Sequence, residues 1–199
     1  MPYTEKLDKA LAYAADLHRD QVRKGTRVPY VAHLLAVAAI VGENGGKESE
    51  VIAALLHDAP EDAGGEPRLA EIRARFGDGV ADIVAGCTDT HEDPKPPWRQ
   101  RKEDYLAHLS EAPTPIRLVS AADKLHNARS VLADYRAIGE GLWDRFDGGR
   151  AGTLWYYRAV ADKLAEAGGG PIADELDRVV TNLERVVDGR RYGWVTRRG

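Results

Sequence analysis

Apolar residues return at three- and four-residue steps along almost the whole chain. In "TEKLDKALAYAADLHRD", Leu7, Ala10, Leu11, Ala14 and Leu17 fall on one helical stripe behind Thr4, whose hydroxyl suits an N-cap. "VAHLLAVAAIVGENGG" reads as a second helix closed by glycines, and "ESEVIAALLHDA" as a third, apolar on most sides and therefore central. Shorter helical patterns follow in "EPRLAEIRARFG" and "DGVADIVAGCT", then a polar loop, "DTHEDPKPP". Beyond it, "WRQRKEDYLAHLSE", "TPIRLVSAADKLHNARSVLADYRAIG", "TLWYYRAVADKLAEA" and "PIADELDRVVTNLERVV" all keep helical spacing.

No segment alternates apolar and polar residues with the β-branched enrichment of a strand, so the pattern predicts an all-α, single-domain helical bundle. The glycines and proline of "EAGGGPIADEL" read as a turn between helices, because too little chain follows to build a second core. The bundle is expected over residues 1–188, leaving 189–199, "GRRYGWVTRRG", as a basic C-terminal tail.

The 199 residues, 43% hydrophobic and 30% charged, have the make-up of a globular protein with a real core. A formal net charge of −4 argues against coating nucleic acid or an anionic membrane, so an anionic ligand requires a local basic patch. The tail arginines read as a solvated end and do not change that expectation. The single cysteine, Cys87, excludes an intramolecular disulfide, leaves no Cys-x-x-Cys spacing and reads as a small buried hydrophobe in a reducing compartment. The N-terminal stretch lacks the apolar core of a signal peptide, and no run approaches the roughly 18 apolar residues of a membrane span. A cytoplasmic protein is expected, with its oligomeric state left open.

Candidate chemistry gathers at "LLHDAPED". Side chains adjacent on a helix diverge by roughly 100°, so His57 and Asp58 can grip one ion from two sides. Alone, the pair is equally a buried histidine bonded to a carboxylate. His33 in "PYVAHLLAVAA" and Asp123 in "LVSAADKLHN" stand on apolar runs, where an aspartate belongs only when paired with a cation. One metal ion would satisfy all four, and the mixed nitrogen and oxygen set suits Mn²⁺, Fe²⁺ or Zn²⁺.

The ordered motifs "RKGTRVPYVAH", "HDAPED" and "AADKLHN" resemble the HD-domain metal-dependent phosphohydrolases, and within them the (p)ppGpp hydrolase domain of RelA/SpoT homologues and the small alarmone hydrolases. The resemblance runs over residues 5–165. It implies an all-helical HD-domain fold, Mn²⁺ as cofactor, and removal of the 3′-pyrophosphate of (p)ppGpp to give GDP or GTP and pyrophosphate, with no synthetase half. By motif it implies His33, His57, Asp58 and Asp123 as metal ligands, and Glu61 and Asp62 as the pair that positions and deprotonates water. It further implies Asn127 as a residue that contacts the nucleotide or orders the site, Arg23 stacking on the base, Lys24 ordering the nucleotide side, and Tyr156 flanking the nucleotide.

Two departures matter. Leu34 stands where relatives commonly carry proline, and Pro60 separates the His-Asp and Glu-Asp pairs, predicting an altered path for Glu61 and Asp62. Arg99, Arg101 and Lys102 suit phosphates but do not overlay the family's phosphate-binding positions. Two other readings stay open: hydrolysis of another phosphorylated nucleotide (NADPH included) or phosphoester, and a metal-stabilised regulatory module without turnover.

Overall fold

In a computed structural model describing residues 3–90 and 94–189, the side chains of Asp62 and Ala63 excepted, the helical spacing is realised throughout. The helices are α1 (Glu5–Leu17), α2 (Tyr30–Glu43), α3 (Glu48–Leu56), α4 (Ala59–Ala63), α5 (Gly65–Phe76), α6 (Asp78–Cys87), α7 (Trp98–Glu111), α8 (Thr114–Ile138), α9 (Gly149–Glu166) and α10 (Pro171–Val187). A 3-10 segment, Gly139–Arg145, joins α8 to α9. Among the described residues there is no strand, and extended pairing is limited to a bridge between Val22 and Pro29 in the basic loop. No helix among them is long and apolar enough to cross a membrane. Residues 190–199 of the expected basic tail lie outside the described residues, as do 91–93 of the polar loop.

Thr4 caps α1 as its position predicts, its hydroxyl accepting the Lys6 amide at 3.2 Å. Every residue of α3 from Glu50 to Leu56 is buried, and this helix packs against α1, α2, α6 and α8. The 25-residue α8 is the spine: it touches α2, α3, α6, α9 and α10. Its small residues Ser120, Ala121 and Ala122 are buried at its centre, letting neighbouring helices approach closely around Asp123. The buried apolar side chains form one cluster running from Ala10 on α1 to Val187 at the end of α10.

The chain breaks its helix where the donors crowd. The third helix, with spacing that extends to Ala59 in sequence, stops at Leu56, and Pro60 takes a place in the first turn of α4. A proline there forfeits no helical hydrogen bond, whereas inside a continuous helix its ring would strike the preceding turn. His57 and Asp58 therefore occupy a joint between two short helices, and Glu61 follows on the second of them.

Candidate metal centre

His33 lies in the first turn of α2, His57 and Asp58 at the joint between α3 and α4, and Asp123 in the middle of α8. The fold brings all four together. His33 Nε2 is 3.5 Å from Asp58 Oδ2 and 3.3 Å from Asp123 Oδ1, while His57 Nε2 is 3.1 Å and 3.6 Å from the same two oxygens. His33, His57 and Asp58 offer donor atoms that all lie within 4.8 Å of one another. Two ligands about 2.1 Å from a shared ion stand about 3.0 Å apart at a right angle and about 3.4 Å apart at a tetrahedral angle. The observed separations match the edges of such a coordination sphere.

The surrounding hydrogen bonds orient the donor atoms toward one point. His57 Nδ1 lies 2.8 Å from the Ala54 carbonyl and must donate to it, so in the neutral ring the lone pair is on Nε2, the nitrogen that faces Asp58 and Asp123. His33 Nδ1 faces His126 Nδ1 at 2.8 Å. Burial above all pushes the His126 imidazole down to about 4, so a neutral His126 accepts from His33 Nδ1 and the opposite nitrogen, Nε2, is the one that faces Asp58 and Asp123. Tyr30 donates to Asp58 Oδ2 at 2.6 Å. Asp123 is held from both ends, Asn127 Nδ2 donating to Oδ1 and Lys124 Nζ to Oδ2.

The electrostatics ask for positive charge. Burial alone would lower the His57 imidazole, yet the charges and hydrogen bonds of Asp58 and Asp123 hold it well above its ordinary range. Burial would raise both carboxylates, but His57 holds Asp58 well below the usual range, and Lys124, followed by His33 and His57, does the same for Asp123. A divalent cation answers that demand, and the residues present fit one.

Glu61 borders the centre on one side. Its Oε1 accepts the Asp89 amide at 2.6 Å and its Oε2 lies 3.8 Å from Lys95 Nζ. Burial raises its carboxyl, and the charges of Asp58 and Asp89 raise it further against the Asp89 amide. The Asp62 side chain lies outside the described residues. Of the basic residues marked in sequence, Arg101 and Lys102 both turn to the buried carboxylate of Asp89, Lys102 at 3.0 Å. Arg99 instead stacks on the Trp155 ring at 3.3 Å and pairs with Glu103.

On the opposite side, Arg23 donates to Asn127 Oδ1 at 2.7 Å. Arg23, Lys24, Asn127 and Tyr157 line a cavity of about 90 Å³. Lys24 makes an exposed ion pair with Asp147 at 3.4 Å. Tyr156 does not line this cavity. It packs among Trp98, Tyr105, Trp155 and Tyr157. A larger cavity, about 510 Å³ around Gly168–Gly170 and Arg117, contains none of these donors.

Sequence reasoning misses Tyr30, Asp89, Lys124 and His126. Lys124 and His126 lie inside the "ADKLHN" motif, His126 three residues from Asp123 and so on the same helical side; that spacing was the available signal. Asp89 belongs to a loop whose pattern carries no comparable mark.

A sequence model of the HD domain matches residues 10–153. The guanosine-3′,5′-bis(diphosphate) 3′-pyrophosphohydrolase MESH1 of Danio rerio is 37% identical over 131 residues, spanning 64% of this chain and 70% of the relative. The protein of the same name from Xenopus tropicalis is 36% identical over 126 residues, spanning 62% and 68%. A solved structure, described as a metazoan ortholog of SpoT that hydrolyzes ppGpp and plays a role in starvation responses, matches with a TM-score of 0.76 and 26% identity. That match covers 94% of this chain and 99% of the other.

Proposed function

The chain belongs to the HD domain family, and from that premise we propose that it is a Mn²⁺-dependent hydrolase that removes the 3′-pyrophosphate of (p)ppGpp, as the names of its relatives state for them. The observation that carries this reading is a half-buried carboxylate of raised proton affinity, Glu61, beside two imidazoles and two carboxylates gathered around one point. His33, His57, Asp58 and Asp123 would hold the ion, which when bound neutralises charge on a phosphoryl oxygen and eases deprotonation of water.

The chain's own residues do the rest. Glu61, one oxygen anchored by the Asp89 amide, keeps the other for the attacking water and takes its proton, with Asp62 as its expected partner. The water oxygen bonds to the phosphorus next to the nucleoside, the bond to the 3′-oxygen breaks, and GDP or GTP departs from pyrophosphate. Asn127, held between Arg23 and Asp123, ties the nucleoside side to a metal ligand. The planar Arg23 guanidinium offers a face for the guanine base, and Lys24 a charge at the rim. Cytoplasmic location is part of the same proposal.

The test is product identification. Mn²⁺-loaded protein incubated with ppGpp is expected to release GDP and pyrophosphate. Orthophosphate from NADPH, with ppGpp untouched, would transfer the chemistry to a different phosphoester, and no turnover of either would leave a metal-stabilised module.

A further inference from the structure

Asp123 separates two differently built walls. Its Oδ1 takes Asn127, which leads to Arg23 and the small cavity, whereas its Oδ2 takes Lys124, which leads the other way. On that second wall Lys124 Nζ lies 5.1 Å from the centre of the Tyr105 ring and Lys102 Nζ 5.0 Å from that of Tyr156. The two rings are 6.5 Å apart. The lysine side chains keep only 16% and 17% of their surface exposed, Lys124 and Lys102 respectively. Two ammonium groups close enough for one charge to act on the other need a reason to be set so deep.

Their present partners are carboxylates with other duties. Lys124 is held by the metal ligand Asp123, and Lys102 shares Asp89 with Arg101. Beside them the hydroxyl of Tyr156, a residue 7% exposed whose ring carries the Lys102 ammonium, has no hydrogen-bond partner, and the charge of Lys124 acts on it together with those of Asp89 and Asp123. A buried donor left unpaired is disfavoured, and one set beside two ammonium groups suits an oxyanion.

Resting on the reading that the substrate carries a 3′-diphosphate, we propose that Lys102, Lys124 and the Tyr156 hydroxyl form the subsite for its distal phosphate. The metal centre then holds the phosphate that is attacked, the Arg23 wall the nucleoside, and the lysine wall the phosphate that leaves unchanged within pyrophosphate. In the reaction only the bond from the inner phosphorus to the 3′-oxygen breaks and only the bond from water oxygen to that phosphorus forms. The nucleoside oxygen departs with the electron pair and gains a proton. This wall selects a diphosphate over a monophosphate, because only a second phosphate would engage Lys102 and the unpaired Tyr156 hydroxyl.

Calorimetric titration of the Mn²⁺-loaded full chain with inorganic pyrophosphate and, separately, orthophosphate tests the subsite without turnover. Wild type is expected to bind pyrophosphate at least about tenfold more tightly than orthophosphate. Lys102→Met, which keeps an apolar stem against the Tyr156 ring, should weaken pyrophosphate about tenfold or more and orthophosphate much less, and Lys102→Arg should recover most of the loss. Tyr156→Phe should weaken pyrophosphate about three- to tenfold. It deletes a hydroxyl that has no partner in the folded chain, so it should melt at or above wild type, and it decides the matter alone if Lys102→Met does not fold. Pyrophosphate affinity within twofold of wild type in the folded variants, or equal losses for both anions, overturns the proposal. If pyrophosphate binds through Lys102 while ppGpp stays intact, the proposed function fails and the subsite stands. If ppGpp is hydrolysed while pyrophosphate binding is indifferent to Lys102, the subsite fails and the proposed function stands.

Discussion

A carboxylate becomes a stronger base near neutral pH when its surroundings raise its proton affinity, and at Glu61 burial does so first, with the Asp58 and Asp89 charges adding to it. The same surroundings set a stability cost. Because the folded carboxyl binds its proton more tightly than the unfolded one, the cost is absent below the ordinary glutamate range, grows as pH rises through the raised value, and is complete above it. Glu61→Gln is therefore expected to melt higher than wild type at pH 7 and to converge with it near pH 4 and below. Its hydrolysis should fall at least about 100-fold with metal content unchanged. Melts across pH beside an assay and metal analysis check all three, and a variant that loses stability at pH 7 contradicts the burial argument. The four candidate metal ligands were legible in sequence because each is a charged or imidazole group set on or directly after an apolar run, whereas Glu61 was legible only by resemblance. Tyr156 was legible as a site residue only by resemblance; its actual neighbours, Lys102 and Tyr105, come from another helix.

At the scale of elements, helix spacing located nearly every helix, while the break at His57 and Asp58 was legible only through Pro60. The five-residue α4 is too short to show a period of its own, and Gly139–Arg145 lacks helical spacing because it winds as a 3-10 segment. Periodicity also says which face is buried but not against what, as Gly86 shows. A Cβ there would collide with the Ile116 side chain, so α6 and α8 approach each other through the missing side chain. Gly86→Ala is expected to cost about 1–3 kcal/mol in urea unfolding. Metal affinity should weaken with it, because α8 carries Asp123. Gly79→Ala, which meets nothing within 4 Å, is the control and should be neutral or slightly stabilising. Equal stability of the two variants would remove the close-approach explanation.

For the whole molecule, an ion at this centre would join α2, the joint between α3 and α4, and α8, three regions distant in sequence. Binding that requires the folded arrangement stabilises it by about 2.7 kcal/mol at a hundredfold excess over the dissociation constant. Chelation should thus lower the melting temperature by about 5–10 °C, reversibly on adding Mn²⁺. The all-helical architecture was legible from sequence because local spacing determines helices. The separation, at Asp123, of the contacts leading to Arg23 from those leading to Lys124 was not, since it depends on which helices meet across α8. The most direct test is anomalous diffraction from crystals grown with Mn²⁺. One strong peak is expected within about 2.0–2.3 Å of His33 Nε2, His57 Nε2, Asp58 Oδ2 and Asp123 Oδ1; a fully loaded crystal with no peak there, or with its peak on other residues, contradicts a shared metal centre.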